Sequence, residues 1–473
     1  MNADVVARLR STFRTGRTRS VEWRRGQLNA LEAMLLNHKE QWQRALGEDL
    51  GKSPFEATMT EIYPVITELK HTRRNLKKWH KDQPVRTPLQ FFPARSWVRY
   101  DPLGVVVIIS PWNYPLQLQF SPLMGALAGG NCVVIKPSEI SSAVEQLFAE
   151  LVPRYFDQEA VAVVTGQADA ATALIDARPD HVFFTGSTAT GTAVAERAAR
   201  HLVPVTLELG GKSPTYVHND VDLHAAARRI VWGKFVNAGQ TCVAPDHIYA
   251  YQDIAASLAE ELARAVRESF GARPQESEDY GRMIHTGAVD RVSAMLPAKG
   301  SEQIVCGGDV DREDRYIAPT VLYPVAESDP VMSEEIFGPV LPILPVRGPQ
   351  EAVQRMLTRD APLALYIFAT DKSVRDYIMD EVPSGGVSIG IPVAHVGSPY
   401  LPFGGKGASG QGTYHGKWSR DTFTHQRAVL SKPLKPETLG VIYPPIHGAV
   451  KSVLDRATSP VGDKKRRHLG RRI

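Results

Sequence analysis

The sequence predicts an α/β protein built on doubly wound parallel sheets. Short apolar runs such as Val105–Ser110 and Cys132–Ile135 are typical of strands buried on both faces. A helix-like segment follows each run, and strands that alternate with helices form parallel sheets. The chain has 473 residues, 43% hydrophobic and 22% charged, which is enough for two or three domains with sizeable cores.

The first hundred residues are predicted to be mostly helical. Between Val5 and about Leu50, Leu and Trp recur at roughly helical spacing, and Glu61–Trp79 reads as a further amphipathic helix. Ser96–Tyr100 alternates like a short strand. Between these segments the helical pattern is broken by three prolines, Pro84, Pro88 and Pro93.

Two α/β blocks follow. In the first block we expect two further helices, Ser121–Ala128 and Ala143–Leu151, and two further strands, Val161–Val164 and His181–Thr185. After Val205–Leu209 the alternation of strands and helices begins again. The predicted helices are Ala225–Phe235, Ala255–Phe270 and Val374–Asp380, and the predicted strands are His247–Tyr251 and Ala364–Phe368. We therefore expect a second α/β domain over roughly residues 208–390. In such sheets ligands bind at the carboxyl ends of the strands.

Composition excludes several classes of protein. A net charge of +4 is too small to indicate nucleic-acid binding, and no apolar run is long enough to span a membrane. The N-terminus lacks the apolar core of a signal peptide. Three cysteines, an odd number without CxxC spacing, indicate neither a disulfide framework nor a metal site, so we expect a reducing, cytoplasmic location. The tail includes two basic clusters, Lys464–Arg467 and Arg471–Arg472, and is expected to be solvated, with at most weak contact to anionic surfaces.

The first candidate for chemistry is Cys242, which follows a helix-like run and a small, flexible Ala238–Gly239 step. A lone cysteine is usually a small buried hydrophobe. A thiolate in this position would instead be a good nucleophile toward a carbonyl carbon.

Two polar residues at strand ends could act with such a thiol. Glu208 ends an apolar strand, and two glycines after it let other groups approach; it is either a salt-bridged carboxylate or a base that activates water or the thiol. Asn113 follows the first buried strand and is either a turn residue or a donor to a developing oxyanion.

A cofactor site is suggested by the junction Phe184–Gly191. Its strand–turn–helix pattern could hold a pyrophosphate at a helix N-terminus, although it is not the usual G-x-G-x-x-G. Lys136 and Glu139 end a neighbouring strand and could hold ribose hydroxyls, or Lys136 could be an ordinary surface lysine.

Together these segments resemble the aldehyde dehydrogenase superfamily over about residues 5 to 435. The shared motifs occur in that superfamily's order and spacing: PWNYP, KPSE, FTGSTATG, LELGGK, NAGQTCVAP, EEIFGP and LPFGGKGASG. The short N-terminus, the APD after Cys242, and residues 414–417 and 421–423 are similar to the class 3 branch, which acts on fatty and aromatic aldehydes.

The resemblance implies a role for each matching residue. Cys242 would be the nucleophile, Glu208 the general base, and Asn113 with the Cys242 amide the oxyanion hole. It implies a bound NAD or NADP contacted by Lys136, Glu139, Thr185, Gly186, Ser187, Thr188, Gly191, Leu209, Gly210, Glu335 and Phe337. Without the resemblance, Glu335 reads as an exposed acid and Phe337 as core packing. The aldehyde pocket would include Tyr114, Phe403 and His415.

The same resemblance implies an aldehyde dehydrogenase-like fold with a small β oligomerisation extension. The expected boundaries are residues 1–84 and 104–207 for the cofactor-binding domain, 208–395 for the catalytic domain, 85–103 and 418–436 for the extension, 396–417 for a Gly-rich segment lining the active site, and 437–473 for the tail. A two-stranded ribbon from Trp97–Tyr100 and Thr422–Leu430 is marginal alone, so a homodimer that buries it is expected.

The implied function is NAD(P)-dependent oxidation of an aldehyde to a carboxylic acid through a cysteine thioester. One alternative is a CoA-acylating enzyme, in which Glu208 would be a wasted hydrolytic base. Another is a silent member of the family that only binds cofactor. Glu139 favours NAD by repelling a 2′-phosphate, but class 3 relatives are often permissive, so the choice between NAD and NADP stays open.

Overall fold

The computed structural model describes residues 2–446 and 448–459. The chain divides into two compact units, a larger one of residues 1–79 and 101–425 and a smaller one of residues 80–100 and 426–473. The basic clusters near the C-terminus, on which the expectation of an anionic-surface contact rests, lie outside the described residues.

Helices dominate the N-terminal part of the chain, and strands alternate with helices after it. The helices are α1 Asn2–Arg14, α2 Val21–Asn37, α3 Lys39–Leu50, α4 Pro54–Ala57, α5 Tyr63–Trp79, α6 Gln117–Gly129, α7 Ser142–Tyr155, α8 Ala168–Asp176, α9 Thr188–Ala199, α10 Leu223–Phe235, α11 Gln252–Phe270, α12 Thr286–Ser293, α13 Pro349–Met356, α14 Lys372–Glu381, α15 Gly416–Thr422 and α16 Gly448–Thr458. The strands are β1 Gln83–Val85, β2 Arg95–Pro102, β3 Val105–Ile109, β4 Cys132–Lys136, β5 Val161–Val163, β6 His181–Thr185, β7 Val205–Glu208, β8 Pro214–Val217, β9 His247–Tyr251, β10 Ile304–Cys306, β11 Val310–Asp311, β12 Tyr316–Ile317, β13 Thr320–Leu322, β14 Val340–Val346, β15 Ala364–Phe368, β16 Gly386–Ile389, β17 Gly410–Gln411 and β18 Thr424–Ser431.

The first sheet of the larger unit has the strand order β17-β7-β6-β3-β4-β5 and is parallel except for β17. Its central strands β3, β4 and β6 are completely buried, as their continuous apolar sequences predict. The register pairs Ile109 with Lys136 and with Phe184, and Thr185 with Glu208. Polar residues that are far apart in the sequence therefore lie side by side at the carboxyl edge of this sheet.

The second sheet has the order β10-β13-β14-β9-β8-β15-β16, with only β10 antiparallel. The prediction of two doubly wound parallel sheets is thus confirmed. Several of its strands were not predicted, among them β8 and β14, because Pro214, Pro342 and Pro345 argue against a central strand. Strand β9 begins five residues after Cys242, which places the loop carrying the cysteine at the start of this strand.

The smaller unit contains a three-stranded sheet with the order β1-β2-β18. The predicted ribbon of two strands is therefore incomplete: β1 pairs antiparallel with β2, with Pro84 opposite Trp97. Proline is tolerated there because β1 is an edge strand, where an N–H donor is not needed on the outer side. Over the described ranges, none of the helices has the length and apolar character needed to cross a membrane.

Candidate active site

The loop that carries Cys242 begins with an unusual backbone. Three consecutive residues after α10, Asn237, Ala238 and Gly239, have positive φ angles of 55°, 50° and 75°. At Gly239 a Cβ would lie 2.3 Å from the carbonyl oxygen of Gly338. A side chain here would be both strained and sterically blocked, so the turn depends on glycine at this position.

Buried amide side chains hold this loop in place. The Gln240 side chain donates to the carbonyl oxygens of Asn237 and Arg282, at 3.0 and 2.9 Å, and accepts from the Ile284 N–H at 2.9 Å. Asn237 Nδ2 donates to the carbonyl oxygen of Asn113 at 2.8 Å. The loop before the thiol is therefore tied both to its own domain and to the end of β3.

Asn113 lies beside this loop, and its position is fixed from behind by a buried ion pair. Its Nδ2 donates one hydrogen bond to the carbonyl oxygen of Gln240 at 2.9 Å, which leaves a second N–H for another acceptor. The ammonium of Lys52 donates to the Asn113 carbonyl oxygen at 3.1 Å and lies 2.5 Å from the Glu61 carboxylate. Glu61 in turn accepts from two backbone N–H groups at the start of α6, those of Leu116 and Gln117.

The thiol lies between two cavities of different character. One, of about 260 Å³, is lined mostly by apolar and aromatic side chains and includes Cys242, Tyr114 and Phe403. The other, of about 440 Å³, includes Cys242, Asn113 and Glu208. A group bound in the first cavity and a group bound in the second would thus meet at the sulfur.

Glu208 is only 2% exposed, and neither of its carboxylate oxygens has a hydrogen-bond partner among the described residues. Burial raises the pKa of this carboxyl well above its usual value. An unpaired buried carboxylate is costly. Because Glu208 lies at the wall of the larger cavity, its carboxylate oxygens are available to a bound ligand or a water molecule.

The thiol itself is kept protonated. Burial raises the pKa of Cys242 to about 12, and the nearby carboxylates of Glu335 and Glu208 contribute to the rise. Its own amide and that of Val243 act in the opposite direction by donating toward the sulfur. Forming the thiolate at neutral pH therefore requires a base or a positive charge close to the sulfur.

The larger cavity fits a dinucleotide cofactor. Its wall includes Thr185, Gly186, Ser187 and Thr188 at the N-terminus of α9, where backbone N–H groups are suited to bind phosphate. The Thr185 hydroxyl is buried without a partner among the described residues. At Gly191, one turn into α9, a Cβ would lie 2.4 Å from the Leu209 side chain, so the helix packs closely on the end of β7.

The lining of this cavity also includes Leu209, Gly210, Glu335 and Phe337. A Cβ at Gly210 would lie 2.1 Å from a Glu335 oxygen, so that carboxylate can rest on the backbone only because residue 210 is glycine. Burial raises the pKa of Glu335 to about 8, and the charge of Asp246 adds to this. Phe337, with a positive φ, contacts the Trp112 ring edge-on at 5.4 Å.

Lys136 and Glu139 lie at the end of β4, on the same edge of the sheet, but outside the lining of this cavity. They form an ion pair with each other at 2.5 Å. If these two residues bind ribose hydroxyls, the ion pair must share its hydrogen-bond donors and acceptors with the ligand. Their role in cofactor binding stays a prediction.

Of the three residues expected in the aldehyde pocket, Tyr114 and Phe403 line the apolar cavity, whereas His415 does not. The position of His415 is set by its neighbours, and its role in the aldehyde pocket stays a prediction. Glu68 accepts from His415 Nδ1 at 2.8 Å and holds the ring in a buried position, stacked on Tyr414 at 4.1 Å and behind Phe403.

Several supporting residues were missed in the sequence. Lys52 and Glu56 lie between two predicted helices, and Glu61 begins the second of them. Glu56 accepts from the Asn237 N–H at 2.7 Å, whereas Lys52 donates to the Asn113 carbonyl oxygen and is paired with Glu61. Arg291 on α12 donates to the backbone oxygens of Glu335 and Ile336, at 3.2 and 2.7 Å. No local pattern marks the first group, because Lys52 lies in the loop between α3 and α4 and meets Glu61 only in the folded chain.

The comparisons with known proteins agree on one family. The model of the aldehyde dehydrogenase family matches residues 3–429. The chain is 44% identical to the rat (Rattus norvegicus) dimeric NADP-preferring aldehyde dehydrogenase, covering 94% of this chain and 97% of the relative. It is also 44% identical to human (Homo sapiens) aldehyde dehydrogenase family 3 member B1, over 93% of this chain and 94% of the relative.

Solved structures give the same result. Substrate-bound AldH of Staphylococcus aureus superposes with a TM-score of 0.93 at 40% identity, covering 96% of this chain and 99% of that chain. The NAD-dependent aldehyde dehydrogenase of Sinorhizobium meliloti superposes with a TM-score of 0.83 at 30% identity, covering 92% and 88%.

Proposed function

Because the chain belongs to the aldehyde dehydrogenase family, in its class 3 branch, we propose that Cys242, Glu208 and Asn113 carry out its reaction. The protein is an NAD(P)-dependent enzyme that oxidises an aldehyde to a carboxylic acid. The observation that carries the assignment of residues is the place of Cys242, which is shared by the apolar cavity and the cavity at the α9 N-terminus.

The first half of the reaction forms and oxidises a covalent adduct. The Cys242 thiol releases its proton to solvent, and the resulting thiolate attacks the carbonyl carbon of an aldehyde held in the apolar cavity. The unused N–H of the Asn113 amide and the backbone N–H of Cys242 stabilise the oxyanion. NAD(P)⁺ held by residues that line the larger cavity, among them Ser187 and Glu335, would supply the hydride acceptor that oxidises this carbon to a thioester.

The second half returns the free enzyme. Glu208, as a carboxylate, takes a proton from a water molecule that attacks the thioester carbon. The C–S bond breaks, the sulfur leaves as thiolate, and the carboxylic acid departs. The raised pKa of Glu208 supports this role, because a more basic carboxylate accepts a proton from water more readily.

Replacement of the nucleophile tests this assignment. Cys242→Ala is expected to lower the rate of aldehyde-dependent NAD(P)H formation roughly 10³-fold or more, since no thiohemiacetal can form. Cofactor binding, followed by quenching of tryptophan fluorescence, should be retained. Cys132→Ala is the matched control, because this thiol is completely buried inside β4 and should not react. Turnover at the normal rate in Cys242→Ala would remove the assignment.

The alternative reaction transfers the acyl group to CoA instead of to water. It differs only in the last step, where a CoA thiol instead of water would attack the thioester. A buried carboxylate without a partner among the described residues, at the wall of the cavity, favours water. Product analysis with CoA present decides between them, since the hydrolytic enzyme releases free acid and no acyl-CoA.

We also infer a homodimer in a reducing compartment such as the cytoplasm. The rat relative is named dimeric, and the smaller unit exposes large apolar side chains, among them Leu89 at 85%, Phe92 at 67% and Leu434 at 92%. The three cysteines, all within the described residues, are free.

A further inference from the structure

A second, basic pocket lies directly beside the apolar cavity. It has a volume of about 320 Å³, and its wall includes Lys70, His71 and Arg74 of α5 together with Tyr400. Tyr63 and Thr67 line both this pocket and the apolar cavity that contains Cys242. The two spaces therefore adjoin each other in the larger unit.

The two adjoining spaces, together called the groove below, are both lined by the same stripe of α5. Residues Tyr63 and Thr67 face the apolar cavity, and residues 70, 71 and 74 continue the same stripe at helical spacing. The facing wall is also continuous in sequence: Val393–Gly397 borders the apolar cavity and Pro399–Tyr400 borders the basic pocket. From Tyr63 to Arg74 the helix extends roughly 16 Å.

The positive charges in this groove have no acidic partner. Among the described residues, no carboxylate lies within ion-pair distance of Lys70 or Arg74, and both side chains are exposed. The acid on this part of α5, Glu68, is buried and bonded to His415 and to the Gly416 N–H. Arg73, on another face of the helix, is by contrast paired with Glu32.

The aromatic residues of the pocket favour an elongated ligand. His71 is held between the rings of Tyr400 and Trp79, with ring-centroid distances of 4.7 and 5.6 Å. Burial lowers the pKa of His71, the charge of Glu68 opposes this, and Arg74 adds to the lowering, so the ring is mainly neutral near pH 7 while Lys70 and Arg74 carry charge. The groove is thus apolar near the thiol and cationic at its far end.

We propose that this groove binds amphipathic aldehydes that carry a carboxylate at the end of the chain opposite the carbonyl group, that is, ω-oxo carboxylic acids. The carbonyl group would lie at Cys242, the alkyl chain in the apolar cavity, and the carboxylate between Lys70 and Arg74. The inference rests on the proposed function, since it places the reacting carbon at the Cys242 thiol.

The experiment compares matched substrates on the full-length enzyme. A series of ω-oxo carboxylic acids of increasing chain length is assayed against their methyl esters, which have the same chain but no charge. The ratio of kcat/KM for acid to that for ester is expected to rise once the chain is long enough to reach Lys70 and Arg74. It should fall toward one as salt is added, because exposed charge pairs are screened.

The double variant Lys70→Gln/Arg74→Gln is expected to reduce this ratio about fivefold or more, as anticipated for the loss of two exposed ion pairs. Lys77→Gln is the matched control: Lys77 lies on the same helix and is exposed, but it is not part of the pocket wall. It should leave the ratio unchanged. An acid-to-ester ratio that is the same in the wild type and the double variant overturns the inference.

A binding measurement separates this inference from the proposed function. The dicarboxylate product and its monomethyl ester are titrated into the enzyme by calorimetry, with no turnover required. Tighter binding of the dicarboxylate, lost in Lys70→Gln/Arg74→Gln but not in Lys77→Gln, supports the groove even if the catalytic assignment fails. Equal binding of the two ligands contradicts the groove while leaving aldehyde oxidation intact.

Discussion

The Cys242 thiol is surrounded by groups that keep it protonated. It is buried, and the neighbouring carboxylates of Glu208 and Glu335 disfavour a second negative charge. The unloaded enzyme therefore holds its nucleophile in a weakly reactive form. Binding of a positively charged nicotinamide ring near the sulfur would relieve this repulsion and couple thiol activation to cofactor binding.

The pH dependence of thiol reactivity follows from this arrangement. In the cofactor-free enzyme, alkylation of Cys242 by iodoacetamide should be slow near pH 7 and rise about tenfold for each pH unit up to about pH 9, because the thiolate fraction grows in this way below the pKa. The raised pKa of about 12 implies no plateau in this range. Peptide mass spectrometry assigns the alkylated cysteine.

Glu335→Gln provides the comparison for this measurement. At pH 9 Glu335, with its pKa of about 8, is mostly ionised, so removing its negative charge should lower the pKa of the thiol by on the order of one unit or less and speed alkylation severalfold. An alkylation rate that already levels off near neutral pH would show that Cys242 is a thiolate in the free enzyme. That result would contradict the raised pKa of Cys242.

At the scale of elements, the run of left-handed residues between α10 and the Cys242 turn determines where the sulfur points. Positive φ at Asn237 and Ala238 is costly for residues with a Cβ. The surrounding hydrogen bonds to Glu56, Asn113 and Gln240 stabilise it. The strained backbone thus occurs at the loop that bears the proposed nucleophile.

Gly239→Ala should therefore reduce activity far more than an ordinary Gly→Ala change. The added Cβ would lie 2.3 Å from Gly338 O at a φ of +75°, so the loop must shift, and a small displacement of a reacting group can lower the rate about 10²-fold. Steady-state kinetics measures the loss. Gly26→Ala on α2, where no atom lies within 4 Å of the new Cβ, is the control and should be neutral or slightly stabilising. Similar kinetics in the two variants would contradict this role for the loop.

Helices and strands with a clear pattern of apolar residues in their own sequence were predicted. Strand β3 was found because it is an unbroken apolar run, and α10 and α11 because their spacing is helical. The sequence did not predict β14, which contains two prolines, or the full length of α6, which contains Pro122. These elements are stabilised by burial between neighbours, a tertiary effect that local sequence does not contain.

The site was only partly predictable for the same reason. Cys242, Glu208 and Asn113 stand at strand and helix ends, where motifs are visible. The buried pair Lys52–Glu61 acts through contacts with Asn113 and the N-terminus of α6, more than fifty residues away in sequence. His415 was placed in the aldehyde pocket by resemblance, whereas its bond to Glu68 draws it out of the lining.

At the scale of the whole molecule, the arrangement of the first sheet explains how one thiol meets two ligands. Its carboxyl edge presents Asn113, Thr185 and Glu208 in a row, and the antiparallel pairing of Gly410 with Glu208 brings the Gly-rich segment to the same edge. The loop before β9, a strand of the second sheet, reaches this edge and contributes Cys242.

The proposed dimer gives a prediction at this scale. Introducing a charge at an exposed apolar residue of the smaller unit, as in Phe92→Glu, should shift the protein from dimer toward monomer if that surface is buried between subunits. Sedimentation velocity measures the change. Leu357→Glu, at an exposed apolar residue of the larger unit, is the control and should stay dimeric. A monomeric wild type would contradict the proposal outright.

The most direct test of the central claim is the capture of the acyl intermediate on Cys242. Glu208→Gln is mixed with an aldehyde and NAD⁺ or NADP⁺, quenched in acid and digested. Since the substituted side chain cannot take a proton from water, hydrolysis should slow more than hydride transfer. The expected result is about one equivalent of reduced cofactor per subunit and an acyl group on the Cys242 peptide. Reduced cofactor without an adduct on that peptide, or an adduct on Cys132 or Cys306 instead, would contradict the account.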